Sequence, residues 1–410
     1  MNQCDTTPLL AYDDALQQLT GSVSATGAVE EVALLQARGR VLAQTIEAGI
    51  DVPGCAMSSM DGYAINTADL ATSGATRLPL AQRIAAGDAE AVLQPGSAAR
   101  IFTGAPIPAG ADAVIMQEEV AAETDTIRFE QRPASGQNIR PRGNDIERGT
   151  TILQAGQRLR AQDIGLAASV GLGTLPVYRR LRVGIFFTGD ELVEPGEQLG
   201  SGKIYDSNRY TLHGMLEAMG CEIVDLGLVG DTLEATRAAM QEASGRADLV
   251  VTSGGVSVGE EDHVRVAIEQ LGELRLWRLG IKPGKPLAYG LIDGTAFLGL
   301  PGNPVSVFAT FCLFVCPVIQ VMQGRRWQKP VALPVVADFD WPRPDSRREF
   351  LRARLERGDN GEARVQVYPK QDSGVLTSTV WADGFVEIPE NATVRRGDVV
   401  DYLPFARYFE

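Results

Sequence analysis

Histidine is almost missing from this chain: His213 and His263 are the only two in 410 residues. That inventory excludes histidine-rich metal centres and most Ser-His-Asp schemes, so the chemistry falls to carboxylates, lysines and backbone. Cysteine is scarce as well. Cys4, Cys55, Cys221, Cys312 and Cys316 are odd in number and scattered, which fits a reducing compartment better than a disulfide framework. Cys312 and Cys316 stand four apart in an apolar stretch with no further ligands nearby, and read as core residues. There is no basic excess: 38 Lys and Arg against 52 Asp and Glu give a net charge of -14, which repels a phosphate backbone and argues against nucleic acid as a partner. Residues 1–19 lack the basic start and apolar run of a signal peptide, so a cytoplasmic location is expected. The apolar run over residues 305–322 is interrupted by Ser306, Thr310, Pro317 and Gln320 and opens from a strand-turn signal. It reads as a buried α/β helix, and no membrane partner is expected.

With 44% hydrophobic and 22% charged residues the composition is that of an ordinary globular protein. The length exceeds what one core supports, since cores stop growing near roughly 250–300 residues. Three regions are expected: 1–180, 181–326 and 327–410. The first opens with a short amphipathic helix over residues 9–19 and a helical or mixed segment over 29–48. It then becomes mainly β, punctuated by Gly and Pro. From residue 181 strands alternate with helices, the mark of a doubly wound, mostly parallel sheet. Strands are expected at 183–187, 222–228, 249–252 and 296–300, and helices at 208–219, 233–244 and 263–271. The tail returns to strand alternation and is expected to form a small, barrel-like β domain. The fold class is therefore multidomain α/β.

The loops after the central strands carry the chemistry, because ligands of open α/β sheets bind beyond the strands' carboxyl ends. Thr252-Ser253-Gly254-Gly255-Val256-Ser257-Val258-Gly259 follows an apolar strand and precedes a helix, a pattern that converges backbone N–H groups on an anion such as phosphate. Taken alone, a tight structural turn explains it equally well. Thr188-Gly189-Asp190-Glu191, Asp231 and Asp262 put carboxylates at neighbouring strand ends. Each alone suits a helix cap or a solvated loop, but together beside a phosphate they call for a hard cation, Mg²⁺. Lys282-Pro283-Gly284-Lys285-Pro286 supplies two cations on a stiff loop in an otherwise acidic chain. Pro301-Gly302-Asn303-Pro304-Val305-Ser306 closes the last strand and starts the apolar helix, and on turn chemistry alone it is structural.

In this order the Phe187 to Leu192 run, Ile204-Tyr205-Asp206-Ser207-Asn208, the glycine loop, the double-lysine loop and the Leu300 to Ser306 turn resemble the molybdopterin-binding domain of molybdenum cofactor enzymes. That domain alone also fits a molybdopterin adenylyltransferase or a non-catalytic molybdopterin-binding scaffold. Ser58-Ser59-Met60-Asp61-Gly62-Tyr63-Ala64, the Arg100 to Val114 run and residues 138–149, with the β tail, are similar to the MoeA and gephyrin-type molybdopterin molybdenumtransferases over nearly the whole chain. Three positions depart from the family pattern. Met57 replaces a usual asparagine, Asn144 an acid before Asp145, and Glu261 an aromatic before Asp262, and the last two alter charge near the site.

The resemblance implies insertion of molybdate into adenylylated molybdopterin with release of AMP. It implies Mg²⁺ on Asp190, Glu191, Asp231 and Asp262, and substrate on Thr188, Gly189, Ser253, Gly254, Gly255, Ser257, Gly259, Pro301, Gly302, Asn303 and Pro304. Lys282, Lys285 and Ser306 would serve catalysis, with Arg352 and Ser373 from the tail. Asp61, Thr103 and Asp145 would reach the opposite subunit's cleft in an elongated homodimer, joined through the N-terminal region. Transient contact with the adenylyltransferase that makes the substrate, and with downstream cofactor-handling proteins, is also implied.

Overall fold

The computed structural model of the chain describes residues 9–255, 263–358 and 361–409. Its central sheet contains β1 (Arg182–Thr188), β2 (Glu222–Val229), β3 (Leu249–Ser253), β4 (Gly272–Arg278), β5 (Pro286–Ile292) and β6 (Thr295–Leu300), in the spatial order β2-β1-β3-β6-β5-β4. The first four strands of that order are parallel, with Val183 opposite Leu249 and Leu249 opposite Ala296. β5 and β4 then turn back antiparallel. β1, β3 and β6 are buried along almost their whole length, as strands covered on both faces must be.

The helices are α1 (Tyr12–Gly21), α2 (Ala161–Ser169), α3 (Asn208–Ala218), α4 (Leu233–Arg246), α5 (His263–Leu271) and α6 (Pro304–Met322). On one face of the sheet Val183, Ile185 and Phe187 pack with α1, α3 and α6. On the other, Phe186 and Val250 pack with α4 and α5. The doubly wound expectation holds. Thr232 caps α4 by accepting from the Ala235 N–H at 3.2 Å, which satisfies one orphan donor of its first turn.

α6 is long and apolar enough to cross a membrane, yet 89% of its apolar window is buried inside the fold. Its middle, Phe311–Val315, is a π turn between two α segments. Pro317 cannot donate to the preceding turn, which loosens the helix there. Cys312 and Cys316 are wholly buried in it, and burial pushes both thiols far up. They are core residues.

In the N-terminal region, Ala113–Met116, Gly62–Ile65, Ala98–Ile101, Thr76–Ile84, Thr126–Phe129 and Ala121–Ala122 form a six-stranded sheet in that order. The 29–48 segment is mixed: Val29–Ala33 is a strand paired with Thr174–Tyr178, and Leu34–Ala37 is a single helical turn. At the other end β7 (Leu333–Ala337), β8 (Arg348–Arg357), β9 (Ala363–Val367), β10 (Gly384–Ile388) and β11 (Val399–Pro404) close into a five-stranded barrel, ordered β8-β9-β7-β11-β10 and back to β8. The two-residue strand Ile281–Lys282, which lies between β4 and β5 in the chain, pairs in parallel with β8. The barrel is thereby stitched to the central domain.

Candidate functional site

Beyond the carboxyl ends of β1, β3 and β6 lies a cavity of about 620 Å³, with a second lobe of about 250 Å³ sharing Glu191, Gly254 and Gly302. The strand ends are tied together. Gly254 N–H donates to Leu300 O at 3.1 Å, and Asn208 Nδ2 donates to Ser253 Oγ at 3.2 Å and to Gly302 O at 2.8 Å. The two glycine-bearing loops therefore face one another as a single polar edge.

The lysine loop forms the opposite edge. Gly284 has φ +106, and a Cβ there would sit 2.6 Å from Thr310 Cγ2, so only glycine lets the loop press onto α6. Register places Lys282 beside Glu349 of β8, and Lys282 Nζ lies 2.7 Å from the buried Glu349 carboxylate and 3.5 Å from Asp345. Glu349 also accepts from Trp341 Nε1 at 2.7 Å. A guanidinium fork from Arg347 holds Asp345 at 2.8–3.0 Å and keeps its carboxyl far below the ordinary range. Lys282 is thus oriented by a carboxylate pair, whereas Lys285 has no ion-pair partner among the described residues and offers its full charge to the cleft.

The third wall comes from the barrel. Ser373 O accepts from Val305 N–H at 3.1 Å and Ser373 Oγ from Asn303 Nδ2 at 3.1 Å, which seats the 371–374 loop on the start of α6. Arg352 stands behind that loop, 1% exposed. It donates to Asp372 O at 3.2 Å and to Ser378 Oγ at 3.1 Å. Burial lowers its pKa to about 10, so it remains a cation while it braces the wall.

Thr188, Glu191, Ser253, Gly254, Gly255, Lys282, Lys285, Pro301, Gly302, Asn303, Pro304, Ser306 and Ser373 all line one lobe or the other. Gly189 lies just beneath: a Cβ on it would meet Glu191 Oε2 at 2.7 Å. The backbone carbonyl of Asp190 accepts from Lys203, and neither Asp190 nor Asp231 lines the cleft. Ser257, Gly259 and Asp262 lie outside the described residues. Among the described residues no group of three or more Asp, Glu, His or Cys side chains gathers to hold a metal. Asp61 and Thr103 sit together in the N-terminal sheet region. The Thr103 N–H and hydroxyl each donate to one Asp61 oxygen at 2.8 Å and hold its carboxyl below the usual range. Asp145 donates its N–H to Val52 O at 3.0 Å, and none of these three lines the cleft.

Sequence reasoning missed Arg347, Gln371, Asp372 and Glu349, which arrive from the barrel. It also gave no role to Asp206 or Asn208. Asp206 is 1% exposed on the smaller lobe, accepts from Arg209 N–H at 3.1 Å through one oxygen, and has its other oxygen unpartnered. Burial raises its pKa. The Asx-type spacing from Asp206 to Arg209, a helix start, was a legible signal for it.

Comparison with known proteins matches three family descriptions in chain order: the MoeA N-terminal region (domain I and II) over residues 10–171, a probable molybdopterin binding domain over 184–321, and the MoeA C-terminal region (domain IV) over 334–405. The chain is 39% identical to a molybdopterin molybdenumtransferase of Haemophilus influenzae, across 97% of this chain and 99% of that one. It is 36% identical to molybdopterin molybdenumtransferase 2 of Mycobacterium tuberculosis, across 88% and 91%. A solved molybdopterin biosynthesis MoeA protein from Pyrococcus horikoshii superimposes with a TM-score of 0.85 at 33% identity, across 97% of this chain and 100% of that one.

Proposed function

The chain belongs to the molybdopterin molybdenumtransferase family, and on that premise we propose that it is a transferase completing molybdenum cofactor synthesis, placing molybdate on the dithiolene of adenylylated molybdopterin with release of AMP. The observation that carries this reading is the two-lobed cleft between opposed glycine loops and a lysine loop, in a protein of net charge -14. Both parts of the reaction bring anions together, a phosphoanhydride to be broken and an oxyanion to be held against thiolates, and each needs preset positive charge. The N–H groups of Gly255 and Gly302 take phosphate oxygens, on the loops that the Gly254–Leu300 bond ties together. Lys285 neutralises phosphate or molybdate, Lys282 does so from the position Glu349 fixes, and Ser306 and Ser373 orient the same oxygens. Arg352 acts as a positioning residue through Asp372.

The donor set fits Mg²⁺. Glu191 is the member of the expected quartet that lines the cleft among the described residues, and Mg²⁺ commonly takes one or two carboxylates and fills its shell with phosphate oxygens and water. When bound, the ion would neutralise charge on the phosphates. Asp262 would hold its water shell, whereas Asp190 and Asp231, which do not line the cleft, would act on it only at longer range. Asp61, Thr103 and Asp145 complete the cleft of a second protomer, in a homodimer working in the cytoplasm beside the enzymes that supply its substrate and take its product.

The test is AMP release from purified protein given adenylylated molybdopterin, magnesium and molybdate, beside Lys282→Ala and Asp262→Ala. Release with active cofactor formed, lost in both variants, is expected. Release insensitive to both substitutions would mean another site, ATP-dependent adenylylation of molybdopterin would make the chain the preceding enzyme, and no release at all would leave a binding scaffold. A fully active monomer in sedimentation would remove the shared-cleft arrangement.

A further inference from the structure

A cavity of about 790 Å³ that shares no residue with the cleft opens where the N-terminal region meets the end of α6 and the terminal helix Ala406–Phe409. Arg38, Arg158, Arg160 and Arg325 line it, together with Leu159 and Phe409, and none of its lining residues is a carboxylate. Of the four arginines, Arg160 alone has an ion pair among the described residues, to Asp163 at 3.0 Å. Four guanidinium groups at one cavity run against the sign of the whole molecule, and three of them carry no compensating charge among the described residues.

Two of the three are fixed in place. Arg158 donates to Phe409 O and, at 3.1 Å, to Ala218 O, so neutral carbonyls anchor it without cancelling its charge. The buried Nη1 of Arg325 has no hydrogen-bond partner. Burial and the neighbouring Arg158 charge lower the Arg325 pKa to about 10, which leaves it cationic at neutral pH. Its loop packs closely against its neighbours. Gly324 has φ +83, and a Cβ on it would lie 2.3 Å from the Tyr178 ring; a Cβ on Gly156 would lie 3.0 Å from Gly324 O. The loop is clamped from both sides.

Helix ends explain only part of this. α3 stops at Ala218 and α6 at Met322, and their C-terminal carbonyls attract cations, but they leave the Arg325 Nη1 without an acceptor. The N-terminus of α2 opens on the same cavity and adds positive partial charge. A buried, uncompensated donor is costly unless something fills it, and planar guanidinium forks match phosphate geometry. The volume exceeds what a bare oxyanion needs and suits an organic ligand.

We propose that this cavity binds a phosphorylated small molecule, its phosphate held by Arg158 and Arg325 with Arg38 at the mouth, and its apolar part resting on Phe409. Such a ligand would join the N-terminal region to the central domain at a point remote from the cleft.

Calorimetric titration of the full chain with AMP, pyrophosphate and inorganic phosphate tests it. The comparison uses Lys285→Ala, which weakens the cleft, and the same protein with Arg38→Gln or Arg325→Gln added. The expected result is one equivalent of AMP bound in Lys285→Ala, weakened about tenfold or more by either arginine substitution, as loss of a charge-assisted bond predicts. AMP is expected to bind more tightly than phosphate or pyrophosphate. Arg38 is exposed and its side chain makes no hydrogen bond among the described residues, so its variant keeps the test open should Arg325→Gln fold poorly. AMP binding abolished by Lys285→Ala, binding indifferent to Arg38→Gln, or equal binding of AMP and inorganic phosphate would each overturn the assignment, as would no binding at all.

Discussion

Adding a single methyl at Gly284 tests how the lysine loop is held. At φ +106 an L side chain is strained, which costs about 1–3 kcal/mol. The new Cβ would also lie 2.6 Å from Thr310 Cγ2, adding about 1–3 kcal/mol of overpacking. Together Gly284→Ala should cost roughly 2–6 kcal/mol. In a domain of this size that lowers the melting midpoint by roughly 5–15 °C. Thr310→Ser removes the methyl in the way and keeps the hydroxyl that donates to Ser306 O at 2.7 Å. Alone it should cost about 1 kcal/mol for the lost buried methyl. Combined with Gly284→Ala it should restore room, so the double variant is less destabilised than the sum by about 1–2 kcal/mol. AMP release should recover with it, because Lys285 returns to place. Melting shifts that add within about 0.5 kcal/mol would refute the seating of the loop on α6.

Two further outcomes are expected. Glu349→Gln removes the 2.7 Å partner of Lys282 but keeps an acceptor for Trp341. Because the Lys282 side chain is 39% exposed, stability should fall by only roughly 1–2 kcal/mol. The misplaced amine should slow AMP release at saturating substrate about tenfold. A lower melting midpoint with unchanged kcat would make the pair purely structural. For Asp206, burial raises the carboxyl above its unfolded value, so its contribution to stability is complete below the ordinary carboxylate range and is lost as pH rises through the raised value. Parallel melts should therefore show wild type losing ground to Asp206→Asn as pH climbs above the ordinary carboxylate range. A constant gap between the two would show that Asp206 titrates normally.

The central domain was legible because its signals are local. Buried runs such as Val183 to Phe187 and Leu249 to Val251 announce parallel strands, and α3 and α4 begin at the residues expected of them. β4 was missed, although Leu274 and its neighbours Glu273 and Arg275 alternate as an edge strand does. Val29–Ala33 was not separable from a helix because its partner, Thr174–Tyr178, lies far along the chain. The same limit governs the site. The strand-end loops and both lysines could be read from spacing and turn chemistry, but Arg347, Glu349 and Asp372 belong to a barrel whose docking no local pattern encodes. Arg352 shows the difference: an arginine in a tail reads as a ligand-facing charge, and only packing turns it into a brace behind the wall.

The Ile281–Lys282 strand, shared between the central domain and β8, also sets a rule for recombining relatives. Regions that family descriptions count separately are not interchangeable cassettes here. A chimera cut between α6 and β7 would bring a foreign β8 against a native lysine loop and scramble the Lys282–Glu349 register, even if every domain folded. A functional graft would have to carry residues 281–286 and 345–349 from the same parent, so the inherited unit is the seam, which a single crossover keeps whole only when it falls before residue 281 or after residue 349.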